Sequence, residues 1–257
     1  MDGLDGKVIL VTGAASGIGA GTARRLADEG CRLALVDRDE RATRSLAAEL
    51  PAAVAIPADV ATEGDVVDAF DAAIAHFGRL DGAHLNAGVA GPFGTIADLE
   101  AHDFDRVIAI NQRSVFLGLR TALRHFRAVD HGGAVVVTSS LAGIRPSPAI
   151  IAYTASKFAA IGMARAAALE GAEFGLRVNV VAPGPIETPL QTPFVDALPD
   201  DRARETYQQH GPSKRLGTVQ EVAALVAFLL SDEAPYVTGA VHVIDGGVDV
   251  MDPMQIT

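Results

Sequence analysis

The chain has a single cysteine, Cys31, among its 257 residues. One thiol cannot form an intrachain disulfide, and chains without disulfides are typical of reducing compartments. Cys31 stands just before an apolar run, so we predict that it packs in the interior. The first residues, "MDGLDGK", carry two aspartates and lead directly into "VILVTG", a beginning unlike that of a secretory leader. We therefore expect a cytoplasmic protein.

Long hydrophobic runs and an excess of positive charge are also missing. No apolar stretch reaches the roughly 18 residues that cross a bilayer, so no membrane partner is expected. The 21 basic and 32 acidic residues give a net charge of −11, which argues against a nucleic-acid partner because polyanions repel an acidic surface. The seven histidines show no metal-ligand spacing such as His-x-x-x-His with acidic support, so no catalytic metal is expected.

Continuous apolar runs recur along the chain and predict buried strands. Hydrophobic residues make up 49% of the sequence, enough for a large core. A run without polar alternation is typical of a strand that is covered on both faces, as in parallel sheets. The predicted strands are Val8–Thr12, Leu33–Asp37, Val54–Pro57, Gly82–Leu85, Ala134–Ser139, Arg177–Ala182 and Val241–Ile244.

Helix-like stretches separate these strands. They are Gly19–Glu29, Thr62–His76, Asp103–Val129, Tyr153–Phe174 and Val219–Leu230. Thr62 and Asp65 resemble a capping box with Asp in the place of Glu, and Thr218 is a candidate N-cap. The alternation predicts an α/β fold, a doubly wound parallel sheet of about seven strands with helices on both faces. Because no linker or repeat interrupts it, we expect a single domain over residues 1–257.

One segment, Pro185–Pro212, breaks this rhythm. It holds five prolines and is predicted to be an insertion over the sheet. Long excursions from a compact domain are often functional lids. We therefore predict a substrate lid at about residues 185–212.

A glycine-rich turn, "VTGAASGIG" at Val11–Gly19, joins the first strand to the first helix. Glycines at positions 13, 17 and 19 allow a sharp turn and a close approach of the backbone to a ligand. The N-terminus of the following helix directs free N–H groups and a positive dipole at that ligand, which suits a pyrophosphate. The spacing is G-x-x-x-G-x-G, unlike the common G-x-G-x-x-G fingerprint, but its context between strand and helix favours a dinucleotide.

Asp37, at the end of the second strand, bears on which dinucleotide is bound. A carboxylate about 20 residues beyond the glycines can accept hydrogen bonds from an adenosine ribose. It would repel a 2′-phosphate, and Ser16 rather than a basic residue stands in the glycine-rich turn. NAD is therefore favoured over NADP, although the guanidinium of Arg38 could accommodate a phosphate.

Four further motifs have ordinary structural explanations when each is taken alone. "NAGVAGPFG" begins at Asn86 after the fourth strand, and "VVVTSSLAG" places Ser140 at the end of the fifth. Asn111 is a polar amide in an apolar stretch of helix. In "IIAYTASKFAAIG", Tyr153 and Lys157 are four residues apart, on the same face of a helix.

Together these motifs resemble the classical short-chain dehydrogenase/reductase family, over nearly the whole chain from Lys7 to Gly247. The matching motifs are "TGAASGIG", Asp59-Val60, "NAG" at Asn86–Gly88, Asn111, Ser140, "YTASK" at Tyr153–Lys157 and "PGPIET" at Pro183–Thr188. Their order and spacing fit, and Ser140 precedes Tyr153 by 13 residues. One departure is Leu85: the family often has two Asn before Ala-Gly, and Leu85 replaces the first of them, which we expect to be harmless.

The resemblance implies a Rossmann-type fold and a role for each catalytic residue. Tyr153 would be the general acid/base, with its pKa lowered by the ammonium of Lys157. Lys157 would also hold the nicotinamide ribose, and Ser140 would orient the substrate oxygen. Asn111 would hold a water that links Lys157 to solvent, which requires an irregularity in its helix. The residues implied to bind the cofactor are Gly13, Ser16, Gly17, Ile18, Gly19, Asp37, Arg38, Asp59, Val60, Asn86, Ala87, Gly88, Tyr153, Lys157, Pro183, Gly184, Ile186 and Thr188.

The implied activity is NAD-dependent interconversion of a secondary alcohol and a ketone. Two alternatives stay open: an NADPH-linked 3-oxoacyl-thioester reductase, and a non-catalytic dinucleotide-binding sensor or scaffold. Candidate substrate residues are Leu141, Ala142, Arg145, Phe93 and Leu190, with the lid continuing to His210. Arg145 could bind a substrate carboxylate or phosphate, or could form a surface ion pair.

Family members are commonly homotetramers. The small side chains of helix Tyr153–Phe174 would permit close packing between subunits, so a homotetramer, or else a homodimer, is expected.

Overall fold

The computed structural model describes residues 1–129, 131–196, 198, 200–209 and 211–251. Seven parallel strands form one sheet in the order β3-β2-β1-β4-β5-β6-β7, which confirms the predicted doubly wound fold. The strands are β1 (Val8–Thr12), β2 (Arg32–Asp37), β3 (Ala53–Pro57), β4 (Gly82–Leu85), β5 (Gly133–Thr138), β6 (Leu176–Pro183) and β7 (Val241–Ile244). Every predicted strand end lies within one residue of the observed end, because the buried apolar runs coincide with the paired segments.

Helices connect the strands and cover both faces of the sheet. They are α1 (Gly17–Asp28), α2 (Glu40–Glu49), α3 (Glu63–Phe77), α4 (Ala101–Val107), α5 (Ser114–Val129), α6 (Ile151–Gly171), α7 (Thr192–Asp196), α8 (Asp201–Gln208) and α9 (Val219–Leu230). A π-helical turn, Ile108–Arg113, joins α4 to α5. The predicted helix Asp103–Val129 is therefore three consecutive pieces.

Each strand contributes to two cores because alternate side chains point to opposite faces. Val8 and Leu10 pack with α3, α5 and α6 on one face, whereas Ile9 and Val11 pack with α1 and α9 on the other. The predicted coverage on both faces is confirmed, and the described residues form a single domain around this sheet.

Helix α2 was not predicted. Its sequence, "ERATRSLAAE", is mostly polar and buries only Thr43 and Leu46, so it carries little hydrophobic pattern. The carboxylate of Asp39 caps it by accepting a hydrogen bond from the Ala42 N–H at 3.0 Å.

The two predicted capping motifs have different outcomes. Thr218 caps α9, and Glu221 completes a reciprocal capping box. Thr62 precedes α3 but makes no side-chain cap bond, so that capping box was wrong. The Asp65 carboxylate, one methylene shorter than a glutamate, instead accepts a hydrogen bond from the Asp59 N–H at 2.8 Å.

Within Pro185–Pro212, a 3₁₀ turn at Pro189–Gln191 leads into α7, and α8 follows. Neither helix was predicted, because prolines obscure the helical pattern. Asp200 caps α8 by accepting from the Ala203 N–H at 2.8 Å. His210, the predicted end of the lid, lies outside the described residues.

Cys31 is buried, with 3% of its surface exposed, as predicted. Its thiol donates to the Leu4 carbonyl at 3.2 Å, and burial raises its pKa to about 12.

Over the part of the chain that the structure describes, no helix is both long and apolar enough to cross a membrane.

Candidate active site

A cleft of about 1510 Å³ lies at the carboxyl ends of the strands. The strand order reverses between β1 and β4, and ligands of open α/β sheets bind at such a switch point. Every predicted site residue except Gly19, Asn111 and Arg145 lines this cleft. Typical ligand pockets measure roughly 300–1,000 Å³, so the cleft has room for a dinucleotide and a second small molecule.

The glycine-rich turn forms the floor of the cleft beneath α1. Gly13 has φ +68°, and a Cβ there would lie 2.8 Å from the Cα of Ala87, so no side chain fits. Gly17 has φ +52° and begins α1 without a side-chain cap from Ser16. The first N–H groups of α1 are therefore free of intrahelical partners. Gly19 does not line the cleft: it packs against the Gly13 carbonyl, where a Cβ would overlap that carbonyl.

The carboxylate of Asp37 is held in place by two backbone amides. One oxygen accepts a hydrogen bond from Ala15 N–H at 3.0 Å, and the other accepts from Asp39 N–H at 3.0 Å. Asp37 therefore joins the end of β2 to the glycine-rich turn. The neighbouring Arg38 is exposed, and its guanidinium forms no ion pair with the residues that the structure describes.

Thr12 organises the loop after β4 and was not predicted as a site residue. Its hydroxyl accepts hydrogen bonds from the N–H groups of Asn86 at 2.9 Å and Ala87 at 3.2 Å. The Asn86 amide donates back to the Thr12 carbonyl at 3.2 Å. The sequence signal was the threonine of "VTG", but its partners come from a distant loop. Leu85, the departure from the family pattern, is buried in the core.

Tyr153 and Lys157 lie on α6, and both are buried, 6% and 4% exposed. The ammonium lies 5.5 Å from the centroid of the tyrosine ring and donates to the Thr138 carbonyl at 3.0 Å. Burial lowers the pKa of Lys157 to about 8. Helical spacing therefore does bring the two groups together, at the wall of the cleft.

The pKa of Tyr153 differs from the expectation. Burial raises the pKa of Tyr153 above its usual value, and the neighbouring Ser140 hydroxyl opposes that rise. The prediction that Lys157 lowers this pKa was wrong for this structure, because the apolar side chains of Ala142, Ile150 and Phe194 surround the ring. The hydroxyl of Ser140 also accepts a hydrogen bond from the Ala142 N–H at 3.1 Å.

Asn111 lies in the π-helical turn, so the predicted irregularity is confirmed. Its side chain is fully buried and clamps Val89: the amide oxygen accepts from Val89 N–H, and the amide nitrogen donates to Val89 C=O, both at 2.8 Å. The nitrogen also reaches the Ser156 hydroxyl at 3.2 Å. The side chain therefore orders the loop beneath the cleft. A Cβ on Gly88 would lie 3.3 Å from the Asn111 oxygen and 3.5 Å from the Lys157 nitrogen.

Arg145 lies outside the cleft, so its prediction as a substrate residue was wrong. Its guanidinium donates to the carbonyls of Val248 at 3.1 Å and Asp249 at 2.9 Å. The chain turns away from the cleft after the 3₁₀ turn Leu141–Gly143, and this direction cannot be read from the proximity of Arg145 to Ser140. The surface ion pair is not formed with any described residue either.

The end of the cleft next to Tyr153 is apolar and partly formed by the lid. The predicted Phe93, Leu141, Ala142 and Leu190 lie here. From the predicted lid, Gln191, Phe194 and Tyr207 also line it, and the structure adds Ile150. The Tyr207 hydroxyl donates to the amide oxygen of Gln191 at 2.7 Å and thereby joins α8 to the start of the lid.

The chain is similar to known proteins over almost its full length. A family model described as enoyl-(acyl carrier protein) reductase matches residues 13–249. Levodione reductase from Leifsonia aquatica is 42% identical over 250 residues, which are 94% of this chain and 93% of that protein. Cyclohexanol dehydrogenase from Acinetobacter sp. is 39% identical over 244 residues, which are 93% of this chain and 94% of that protein.

A solved structure is also similar. The 3-ketoacyl-(acyl-carrier-protein) reductase from Brucella melitensis, complexed with NADH, has a TM-score of 0.89 and 34% identity, and the match covers 96% of this chain and 99% of that one. Fold, cleft and relatives agree over almost the full length. The chain therefore belongs to the classical short-chain dehydrogenase/reductase family and is an oxidoreductase that interconverts alcohols and ketones with a nicotinamide dinucleotide.

Proposed function

We propose that the protein is an NAD-dependent dehydrogenase of secondary alcohols in which Tyr153 is the general acid/base. The observation that carries this proposal is the position of Tyr153: its phenol is buried at the wall of the cleft that Ser140 also lines, with the ammonium of Lys157 over its ring. A phenol, a hydroxyl and a cation that line the same part of a cleft suit proton transfer to and from an alcohol oxygen.

The residues present fit a dinucleotide. Gly13 leaves no room for a side chain beside Ala87, and the turn presents backbone amides where a pyrophosphate would be bound. Asp37 and Asp59 would hold the adenosine end, with Val60 packing beside it; Pro183, Gly184, Ile186 and Thr188 would contact the nicotinamide end. When bound, the nicotinamide supplies the hydride acceptor or donor.

The proton would move through this chain's own side chains. In ketone reduction, the Tyr153 phenol would donate its Oη proton to the substrate oxygen, which Ser140 Oγ orients, and would be left as a phenolate; in alcohol oxidation that phenolate would take the hydroxyl proton and return to the phenol. Lys157, whose ammonium lies over the Tyr153 ring, would bind the nicotinamide ribose. We further propose that Asn111 contributes by ordering the loop next to Lys157.

NAD is proposed over NADP because Asp37 is fixed. Its two hydrogen bonds to Ala15 and Asp39 keep a negative charge where an adenosine 2′-phosphate would lie. Arg38 also lines the cleft and is the group that could reduce this preference. The NADH complex of the Brucella melitensis relative is in keeping with the proposal.

A second candidate, reduction of a 3-oxoacyl thioester, is favoured by the name of that same relative. The name of the Acinetobacter relative favours a cyclic alcohol instead. Turnover of both substrate types separates the two candidates directly.

We also propose that residues 1–257 are one domain, that residues 185–212 act as a substrate lid, and that the protein is a cytoplasmic homotetramer.

The homotetramer is supported by exposed apolar side chains on two helices. Phe116 on α5 and Phe158 and Leu169 on α6 are exposed at 48%, 44% and 82%, an arrangement that suits contacts between subunits. Sedimentation velocity would test the oligomeric state.

The central test is NAD reduction over a panel of secondary alcohols by the wild-type protein and Tyr153→Phe. The variant should lose turnover while its NAD dissociation constant stays within about threefold, because the phenyl ring keeps the packing and removes only the hydroxyl. Substantial remaining turnover would contradict the role of Tyr153. An inactive wild-type protein that still binds NAD would favour the non-catalytic alternative.

A further inference from the structure

An aromatic wall, formed by Phe93 and Phe194, closes the substrate end of the cleft. The two rings are 5.0 Å apart and nearly perpendicular, at 89°. Phe194 also packs edge-on against the ring of Tyr153, with centroids 5.9 Å apart. A lid residue therefore touches the proposed acid/base directly, and any substrate oxygen that reaches Tyr153 brings its carbon skeleton against this wall.

Hydrogen bonds keep the wall in place. Gly94 N–H donates to the Ala149 carbonyl at 3.0 Å, which ties the loop carrying Phe93 to the loop before α6. Ala149 is held at φ +63°, a conformation that L side chains rarely adopt. On the lid, the bond between Tyr207 and Gln191 fixes the turn that leads into α7 and Phe194. The wall is therefore a preorganised surface with a defined shape.

The side chains packed against the wall and Tyr153 are apolar. The cluster packed on Tyr153 consists of Ala142, Ile150, Phe93 and Phe194. Among the described residues that line the cleft, the basic side chains are Arg38, Lys157 and Arg202. Arg38 follows β2, Lys157 is engaged by Thr138, and Arg202 is an exposed residue of α8, two residues from Asp200. A thioester carried on a phosphate-bearing arm would need cations at its phosphates, and the wall supplies none.

We propose that the substrate is a compact, uncharged, rigid alicyclic alcohol or ketone, and that Phe194 is the residue that determines this specificity. The inference rests on the function proposed above and names its substrate class. A saturated ring buries apolar surface against two aromatic rings, and it loses little torsional freedom on binding because its bonds are already constrained. An acyclic chain of equal carbon number loses torsional freedom on binding and fits a fixed wall less well.

The test compares cyclohexanol with 2-hexanol, two secondary alcohols with six carbons each, using NAD and measuring kcat/KM. Wild-type protein should prefer cyclohexanol by at least about tenfold. Phe194→Ala should lower kcat/KM for cyclohexanol by about ten- to a hundredfold and bring the ratio of the two alcohols close to one. Phe194→Leu keeps an apolar side chain of similar reach and should show an intermediate ratio of kcat/KM for the two alcohols. It also allows the test to be made if Phe194→Ala does not fold.

Val195→Ala is the matched control, because Val195 lies on the same helix but does not line the cleft; its ratio should equal that of the wild-type protein. A wild-type preference for 2-hexanol, or for the N-acetylcysteamine thioester of 3-hydroxybutyrate, would overturn the inference while leaving the proposed function intact. An unchanged ratio of kcat/KM for the two alcohols in Phe194→Ala would also overturn the inference. Loss of NAD reduction with every alcohol would instead contradict the proposed function itself, and the inference with it.

Discussion

The ammonium of Lys157 donates a hydrogen bond to the carbonyl oxygen of Thr138 at 3.0 Å. Thr138 is the last residue of β5, so the lysine on α6 is anchored to the carboxyl edge of the sheet. This bond holds a charged group in a site where 4% of the lysine surface is exposed. The position of the charge is therefore set by the fold and precedes any ligand.

Because Lys157 is buried, the free energy of unfolding of the protein depends on pH. Its pKa falls from an ordinary 10.5 to about 8 in the folded protein, so between these values the unfolded chain binds more protons and the free energy of unfolding rises with pH. Below pH 8 the buried charge costs on the order of 3 kcal/mol. The hydrogen bond to the Thr138 carbonyl offsets about 1 kcal/mol of that cost.

Lys157→Met should therefore raise the free energy of unfolding by about 2 kcal/mol at pH 7, and the difference from the wild-type protein should shrink between pH 8 and 10.5. Urea denaturation at pH 7 and pH 9.5 measures both values. Comparing the two proteins at each pH cancels the contributions of Tyr153 and Cys31, whose pKa values are raised and whose effect on stability has the opposite sign. A difference that grows with pH would contradict the assignment.

Asp37→Ala should weaken NAD binding by about tenfold, or ~1.4 kcal/mol, and narrow the preference for NAD over NADP. In the proposed binding mode the Asp37 carboxylate accepts a hydrogen bond from the ribose and repels a 2′-phosphate, and the variant would lack both interactions. Dissociation constants for both dinucleotides are the measurement. Arg38→Ala is the companion variant and should weaken NADP binding selectively. An unchanged NAD/NADP ratio in Asp37→Ala would assign cofactor choice to another group.

Gly13→Ala should severely impair NAD binding and destabilise the fold, because its Cβ would lie 2.8 Å from the backbone of Ala87 at a φ of +68°. Gly64→Ala is the matched control: a Cβ there meets no atom within 4 Å, and Gly64 lies in α3. The control should raise stability by about 0.5–1 kcal/mol through helix propensity. Thermal unfolding and NAD titration distinguish the pair, and equal effects would disprove the steric argument.

Asn111→Leu should destabilise the protein by about 2–4 kcal/mol, because both backbone groups of Val89 lose their buried partners. Ser156→Ala removes the 3.2 Å contact to the Asn111 amide and the 2.7 Å bond that the Ser156 hydroxyl donates to the Tyr153 carbonyl, but it leaves both Val89 bonds in place and should cost about 1 kcal/mol. Denaturant unfolding gives both values. Similar costs for the two variants would show that the Val89 clamp is not the main role of the amide.

The sequence predicts the sheet almost completely, since continuous apolar runs such as Val8–Thr12 can be satisfied only by burial on both faces. It does not predict α2, whose polar sequence buries two side chains, or the lid helices, where prolines hide the pattern. The glycine-rich turn and the Tyr153–Lys157 pair are local in sequence, so they can be read directly.

Other parts of the site depend on contacts between distant segments. Thr12 holds the loop after β4, and Phe194 meets Tyr153 from the lid; neither contact has a local signature. Arg145 follows Ser140 closely in sequence, yet its guanidinium donates to the carbonyls of Val248 and Asp249. The direction of the Tyr153 pKa shift also depends on which side chains surround the ring, which only the packing reveals.

The burial of Cys31 has a practical consequence for following the lid in solution. A thiol that is 3% exposed and has a pKa of about 12 will react slowly with maleimides at neutral pH. A cysteine introduced at the exposed Pro193, next to Phe194, would then be the one readily labelled position, with no need to remove the native residue. A fluorophore placed there would report movement of α7 as cofactor and alcohol are added in turn.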